Sequence, residues 1–462
     1  MPEIDTQNEL GPAWLRADTP APMSAGLVLA WSHREPQRVG EVGFVAGPTV
    51  LGRGDASGAR VRFVRSRPGV EEDRGPLGSP SISRDQLELE PVGDGIRVRC
   101  VGRCPMRIDG APCSEGVLEP GSTLELQNEL VFVATHRVRD LAPIPDLPLH
   151  PFGQPDAYGI VGEGPAAWAL RERVRFAAST DGHVLVLGQS GTGKELVARA
   201  LHRASARADR PFVARNAATV PEGIVDAELF GHARNYPNSG MPEREGLIGE
   251  ARHGTLFLDE IGSLRHDLQA HLLRVLDPDG EYTRLGESRP RRADLRVVAA
   301  TNAAPEQLKP DFRARFRVLL RVPALEDRRE DIPLIARHLL ARASADPQLR
   351  GRFFDDRGEA RVAPALVVAL IRHGYELNVR ELDALLWDAM GASGASYLGL
   401  PERLRADPEP GSDSPAPELD AATVLRVLER CDDNITEAAH QLGLPSRFAL
   451  YRLLRKLGIQ RS

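Results

Sequence analysis

The stretch Val184–Leu201, VLVLGQSGTGKELVARAL, constrains this chain more than any other. Four apolar residues, Val184 to Leu187, read as a buried strand; Gly188 to Gly193 form a glycine-rich turn; Lys194 opens an amphipathic helix. A strand, a Gly-x-x-x-x-Gly-Lys turn and a helix in that order make a phosphate-binding loop. The glycines let successive backbone N–H groups point at one anion, and the helix N-terminus adds partial positive charge. The residues expected on the phosphates are Gly188, Gly191, Thr192, Gly193, Lys194 and Glu195. Glu195 stands where the general pattern has a Ser or Thr hydroxyl for magnesium. Lysine occurs only at 194, 309 and 456 in a chain that otherwise uses arginine. A compact ammonium suits a phosphate pocket better than a planar guanidinium, which accounts for a lysine here.

A chain of 462 residues exceeds one hydrophobic core and implies about three domains. A net charge of −6 excludes a globally basic nucleic-acid binder, so any DNA contact must be local. No apolar run reaches the roughly 18–20 residues of a membrane span, and the N-terminal MPEIDTQNELGPAW has no signal-peptide pattern. A cytoplasmic protein without membrane partners is expected. Of the cysteines at 100, 104, 113 and 431, three are close together, but no fourth ligand follows at zinc spacing, so reduced thiols are expected.

Residues 1–23 read as a flexible tail. Residues 24–139 break into short apolar runs, among them GLVLAW, FVAGPTVL, QLELEPV and LVFVATH, punctuated by Gly, Pro and Asp, the pattern of an all-β sandwich. Residues 140–156, with five prolines, read as a stiff linker. Residues 157–325 alternate strands with helices, which predicts a parallel α/β sheet binding ligand at the strands' carboxyl ends. Residues 326–405 are mostly helical, 406–417 form a second linker, and 418–462 are helical again. The apolar strand of HGTLFLDEIGSL ends in Asp259 and Glu260. Asp-Glu after a strand is weak evidence alone; roughly 65 residues after a phosphate loop it is strong. Asp259 is placed to hold Mg2+ and Glu260 to orient or deprotonate a water. Asn302, ending the next strand, is either a γ-phosphate sensor or a turn-forming residue.

Residues 158–390 resemble the central domain of NtrC-like AAA+ ATPases, the bacterial activators of sigma-54 polymerase. The likeness lies in GQSGTGKELVARALH, RPFVARNAA, DAELFGH, GTLFLDEIGSL, LRVVAATN, RREDIPLIARHLL and NVREL. It implies ATP as ligand, a self-assembled ring (hexameric) or dimer, and a helical lid. It also implies that Asn216 restrains the catalytic Glu260, that Asn302 is the first sensor, and that Arg380 reaches the nucleotide from the lid. Arg380 reads alternatively as a solvated helix charge. Glu195 agrees with this family, which commonly has Glu there. Two stretches depart from the pattern. Where the family carries the sigma-54-contacting GAFTGA, this chain has NYPNSG (Asn235 to Gly240) at the same offset, a polar turn with Tyr236 as its one large apolar group. Where the family carries two trans-acting arginines six residues apart, this chain has Lys309 and Arg315, with Arg313 as a substitute or a surface charge. Arg315 is the expected finger onto a neighbour's ATP.

The N-terminal sandwich resembles the forkhead-associated (FHA) domain, in LGR (Leu51 to Arg53), ISR (Ile82 to Arg84), MRIDG and EPGSTLEL. The resemblance implies phosphothreonine-protein binding through Arg53, Ser83 and Arg84; a scaffold sandwich is the other reading. Gln86 replaces the family's His, and Cys104-Pro105 its Asn-Gly.

Near the C-terminus an apolar-periodic helix (Val424, Leu425, Leu428) precedes Asn434, a helix from Ile435 to Leu442, Gly443, and a helix started by Pro445 and Ser446. From Arg447 to Ser462 there are five basic residues and no acidic one. A short Gly-containing turn between helices is a helix-turn-helix pattern, and the stretch resembles the Fis-like DNA-binding domain that ends NtrC-like activators. Ser446 is the expected N-cap of the reading helix. Arg447 and Phe448 are expected at base edges, and Arg452, Arg455 and Lys456 at phosphates. A helical bundle for oligomerisation is the alternative. The sequence therefore points to an ATP- and DNA-binding transcriptional regulator with a rewritten sigma-54 loop. A working sigma-54 activator using the altered loop, or a DNA-bound scaffold that remodels nothing, are the other readings.

Overall fold

The short apolar runs in the first third of the chain become strands, twelve among the described residues. The computed structural model describes residues 22–405, apart from 55–58, 146, 220, 265, 304 and 395, and then 421–430, 438, 441 and 442. The strands are β1 (Met23–Ser32), β2 (Val42–Phe44), β3 (Thr49–Leu51), β4 (Phe63–Arg67), β5 (Val70–Gly75) and β6 (Leu87–Val92). They continue as β7 (Gly95–Cys100), β8 (Met106–Ile108), β9 (Ala111–Cys113), β10 (Glu115–Leu118), β11 (Thr123–Leu126) and β12 (Leu130–Val138). One sheet runs β5-β4-β2-β1-β12-β11-β8-β9 and the other β10-β7-β6-β3, so the expected sandwich forms. Leu27, Phe63, Leu89, Val98, Leu124 and Phe132 fill the space between the sheets. FVAGPTVL, read as one apolar run, is divided at Gly47-Pro48: β2 joins the first sheet and β3 the second. Proline lacks the N–H a ladder needs, so the chain changes layers there. Strand β5, VEEDRG, gave no apolar signal because its side chains through Arg74 are exposed. It is the sheet's edge, where charge discourages pairing with another chain.

The second fold begins with α1 (Pro165–Ala178), β13 (Val184–Leu187), α2 (Lys194–Arg203), β14 (Phe212–Asn216), α3 (Val225–Phe230) and α4 (Gly246–Glu250). It proceeds through β15 (Thr255–Asp259), α5 (His266–Leu276), β16 (Glu281–Tyr282), β17 (Arg291–Arg292), β18 (Arg296–Thr301), α6 (Pro310–Arg313) and β19 (Val318–Arg321). Five strands pair in parallel in the order β14-β15-β18-β13-β19, and β13, wholly buried, lies inside the sheet. Apolar clusters cover both faces, as a parallel sheet requires. The strand order reverses around β13, which puts the ligand crevice at its carboxyl end. The helices of the segment expected to form a lid follow: α7 (Ile332–Ala343), α8 (Pro347–Phe353), α9 (Pro364–Arg372) and α10 (Asn378–Ala392).

Residues 140–156, expected as a stiff linker, lie packed against the neighbouring domains. The segment has no helix or strand, as its prolines dictate, but it is a strap, not a spacer. Leu141 is buried with Val138 and Trp168, and Ile144 and Leu147 pack against them. Beneath it, Arg67 of β4 meets Glu163, just ahead of α1, through two hydrogen bonds of 2.7 and 3.1 Å. The sandwich also packs on the lid. Ala30, Val131 and Val133 join Val367, Val368 and Ile371 of α9 in one cluster. Arg137 pairs with Glu330 at 3.0 Å, and Arg372 donates to the Asp109 carbonyl at 2.6 Å. Among the described residues no helix is long and apolar enough to cross a membrane.

The helix Ala421–Arg430, in the separate C-terminal unit, buries Val424 and Leu428 but leaves Leu425 exposed, so its apolar stripe is narrower than expected. Ser446, Arg447, Phe448, Arg452, Arg455 and Lys456 lie outside the described residues.

Candidate nucleotide site

The turn after β13 needs glycine where it was expected. Gly191 and Gly193 have φ of +76° and +99°, a region costly for residues with a Cβ. A Cβ on Gly191 would also sit 1.9 Å from the Leu377 carbonyl oxygen, so the lid rests directly on the loop. Thr192 Oγ1 donates to the Gln189 carbonyl at 2.9 Å and holds the turn closed. The Lys194 ammonium donates to the carbonyls of Gly188 and Gln189 at 2.9 and 3.0 Å. Its burial lowers its pKa, and the facing carboxylates of Asp259 and Glu260 oppose that shift.

Asp259 ends β15 and Glu260 follows in the left-handed region at φ +53°. Asp259 Oδ1 accepts the Glu260 N–H at 2.9 Å, and burial pushes the Asp259 carboxyl above its ordinary value despite that bond and Lys194. A half-buried carboxylate short of positive charge is a fitting ligand for a divalent cation bridging to phosphates. Glu195 is differently placed: it is exposed and pairs with Arg199 at 2.7 Å on the flank of α2. Asn216 ends β14 beside Asp259 in register, but its Oδ1 accepts the Ala218 N–H at 2.8 Å and is not bonded to Glu260. The expected restraint on Glu260 is therefore not formed in this arrangement. Asn302 is exposed just beyond β18, at the same sheet edge.

Arg380 Nη1 reaches Ser190 Oγ, in the glycine-rich turn, at 3.4 Å. Two residues before it, Asn378 escaped sequence reasoning: within NVREL only the arginine was assigned. Its signal was available, an Asn at the first position of a helix, a residue that tolerates the left-handed conformation. Asn378 does adopt φ +51° and is 1% exposed. Its amide donates to Gln189 Oε1 and the Ser190 carbonyl, both at 3.0 Å. Arg315 is half-exposed and pairs with Asp277 at 3.0 Å, on the surface of the chain. Lys309 sits just ahead of α6 and Arg313 lies 3.7 Å from Glu306.

The rewritten loop closes on itself. Asn235 N–H donates to the Met241 carbonyl at 2.9 Å, and Asn235 Oδ1 accepts the Gly240 N–H at 2.9 Å. His232 at its base bridges to Arg244 and Leu285. Tyr236 lies across Gly286, where a Cβ would come within 2.6 Å of its ring, yet remains 39% exposed.

At the loop end of the sandwich, Arg53 is exposed, its N–H donating to the Ser83 carbonyl at 3.1 Å. Ser83 Oγ accepts the Arg103 N–H at 3.0 Å, and Arg84 is exposed beside it. Gln86, fully buried, accepts from Ser83 N–H at 3.0 Å and donates to the Cys104 carbonyl at 2.8 Å. A neutral amide thus ties the two loops together. Cys100, Cys104 and Cys113 are free thiols, and burial raises the pKa of the last two. Among the described residues no cluster of three or more His, Cys, Asp or Glu is arranged to hold a metal ion.

Comparison with known proteins gives this geometry a context. Residues 160–326 match the sigma-54 interaction domain. The transcriptional regulatory protein ZraR of Salmonella typhimurium is 36% identical over 315 residues, 64% of this chain and 69% of that protein. The DNA-binding transcriptional regulator NtrC of Escherichia coli is 33% identical over 332 residues, 65% of this chain and 70% of that protein. A solved structure of NtrX from Brucella abortus in complex with ADP superposes with a TM-score of 0.47 at 29% identity, covering 66% of this chain and 70% of that one.

Proposed function

Since the chain belongs to the NtrC/ZraR-like family of sigma-54-dependent AAA+ transcriptional regulators, we propose that it binds ATP and DNA and regulates transcription with an altered output loop. The observation that carries the nucleotide half is the convergence of the Lys194 loop, the Asp259–Glu260 pair and the lid's Arg380 on one sheet edge. In this reading Gly188 to Lys194 bind the phosphates. Asp259 is the residue that would hold Mg2+, which would shield phosphate charge when bound. Glu260 orients the attacking water, and Arg380 holds the lid over the nucleotide. Arg315, on the surface, acts only on a neighbouring copy's ATP, so hydrolysis belongs to a self-assembled ring. The C-terminal Arg447, Phe448 and their basic neighbours read DNA.

The loop decides the output. A closed polar turn has no small–aromatic–Thr tip to offer sigma-54, so the preferred reading is a regulator that binds nucleotide and DNA without opening the sigma-54 promoter. The exposed Tyr236 favours a second reading, in which that ring substitutes for the missing contact. The test is open-complex formation by purified protein with sigma-54 polymerase and hydrolysable ATP. No open complexes are expected; open complexes lost in Tyr236→Ala would establish the second reading.

We propose the sandwich end at Arg53, Ser83 and Arg84 as a site for a phosphothreonine peptide, with Gln86 supporting it by fixing the Ser83 and Cys104 loops. Arg53→Ala is expected to weaken a phosphothreonine peptide at least tenfold, roughly the worth of one charge-assisted bond. Equal binding by the variant, or none by the unaltered protein, in fluorescence titration would leave the sandwich a scaffold.

A further inference from the structure

The Asn378 side chain bonds the phosphate loop and the entry to the lid at once. Its Oδ1 accepts the Leu325 N–H at 2.9 Å while its Nδ2 donates to Gln189 Oε1 and the Ser190 carbonyl. The partners leave no freedom in the amide's orientation: Leu325 N–H can only donate and the Ser190 carbonyl can only accept. The next residue repeats the contact through the backbone, Val379 N–H donating to the Gly191 carbonyl at 3.1 Å. The start of α10 is itself fixed, because Glu381 accepts the Glu376 and Leu377 N–H groups at 2.8 and 2.9 Å and pairs with His373 at 2.7 Å. Leu325 opens a short 3-10 segment, Leu325–Asp331, whose other end carries Glu330, the partner of Arg137 in the sandwich. Asp331 there accepts the Glu163 and Gly164 N–H groups at 2.8 and 2.9 Å, ahead of α1.

We propose that Asn378 is a positioning residue for nucleotide binding: it sets the shape of the phosphate loop according to where the lid stands. This rests on the nucleotide reading above. A residue that only braced the lid would need the bond to Leu325 and none to the loop. Both loop acceptors lie in the turn that presents N–H groups to phosphate, so losing them lets Gln189–Gly191 relax and the donors diverge. The left-handed backbone is part of the device, since Asn is among the few residues that hold it while keeping an amide to offer.

The test uses the full chain with ADP as probe. Asn378→Gly removes the amide while accommodating φ +51° without strain. It is expected to weaken ADP binding about tenfold, and to raise KM for ATP by a similar factor with kcat at saturating ATP within about threefold. Gln189→Ala, which deletes one loop acceptor and leaves the lid alone, should move affinity in the same direction by less. Hydrogen exchange should quicken in residues 188–193 and stay unchanged in α7 and α9. ADP affinity within twofold of the unaltered protein overturns the proposal. So does exchange that rises throughout the lid, or a fall in kcat with unchanged KM. Absence of ADP binding in the unaltered protein would sink the nucleotide reading itself, and this inference with it.

Discussion

Lys194→Ala is expected to weaken binding of ADP and ATP by about 30- to 150-fold, the equivalent of roughly 2–3 kcal/mol for a hydrogen bond to a charged group. The ammonium is buried, bonded to two backbone carbonyls and attracted by two carboxylates, with no other lysine nearby to take its place. Lys194→Arg should rescue little, because a planar fork cannot occupy the small space between the Gly188 and Gln189 carbonyls and still meet a phosphate. Calorimetric titration reads both variants. Binding within threefold of the unaltered protein would remove Lys194 from the phosphate site. The expected cost in stability is small, since the two carbonyls it leaves are at a partly accessible turn.

Glu163→Ala is expected to destabilise the protein by about 3–5 kcal/mol, the usual consequence of removing one member of a buried ion pair. Arg67 is nearly enclosed, lying 5.2 Å from the Phe152 ring centre and 5.8 Å from that of Trp168, and would keep its charge without its partner. Glu163 also accepts the Gly153 N–H at 2.8 Å, so the strap loses an anchor in the same step. A lower urea midpoint and faster proteolysis between residues 140 and 156 would report it; an unchanged midpoint would show that the pair contributes nothing net. The pH dependence has a definite sign. Burial alone would raise the Glu163 carboxyl, but His150 and Arg67 more than offset it and hold the pKa below the ordinary 4.5. A depressed folded-state value means the contribution is fully present above pH 4.5 and fades as pH falls below it. The difference between the unaltered protein and Glu163→Ala should therefore shrink on acidification.

The candidate nucleotide site was legible because the chemistry it is read to perform demands particular residues at fixed spacing. Glycines at 191 and 193, a lysine at 194 and carboxylates at 259 and 260 all fall where the sheet brings them together. The sandwich was legible in outline, since alternating apolar residues report a buried face. Its edge was not, because an exposed strand such as Val70–Gly75 has no apolar side to report. The strap was misread for a related reason. Prolines identify what backbone is forbidden, not where the chain lies, and the few apolar residues among them carry no period. The bonding of Asn378 and Gln86 was hidden in another way: each works through amide hydrogen bonds to loops remote in sequence, and spacing does not encode such pairs. Glu195 and Asn216 show the converse. A place in a motif put both near the site, and local bonds to Arg199 and Ala218 turned their side chains elsewhere.

The packed strap bears on how such a protein can be inherited. A sensor joined to a motor by a loose tether can be exchanged by recombination within the tether, with each part arriving functional. Here a crossover between residues 140 and 156 would strip Trp168 of Leu141 and Val138, Glu163 of Arg67, and α9 of its apolar cover. An incoming module would need those complementary surfaces already in place. The N-terminal sandwich and the α/β and helical domain it rests on are thereby bound to change together, each substitution at the seam selecting its answer on the other side.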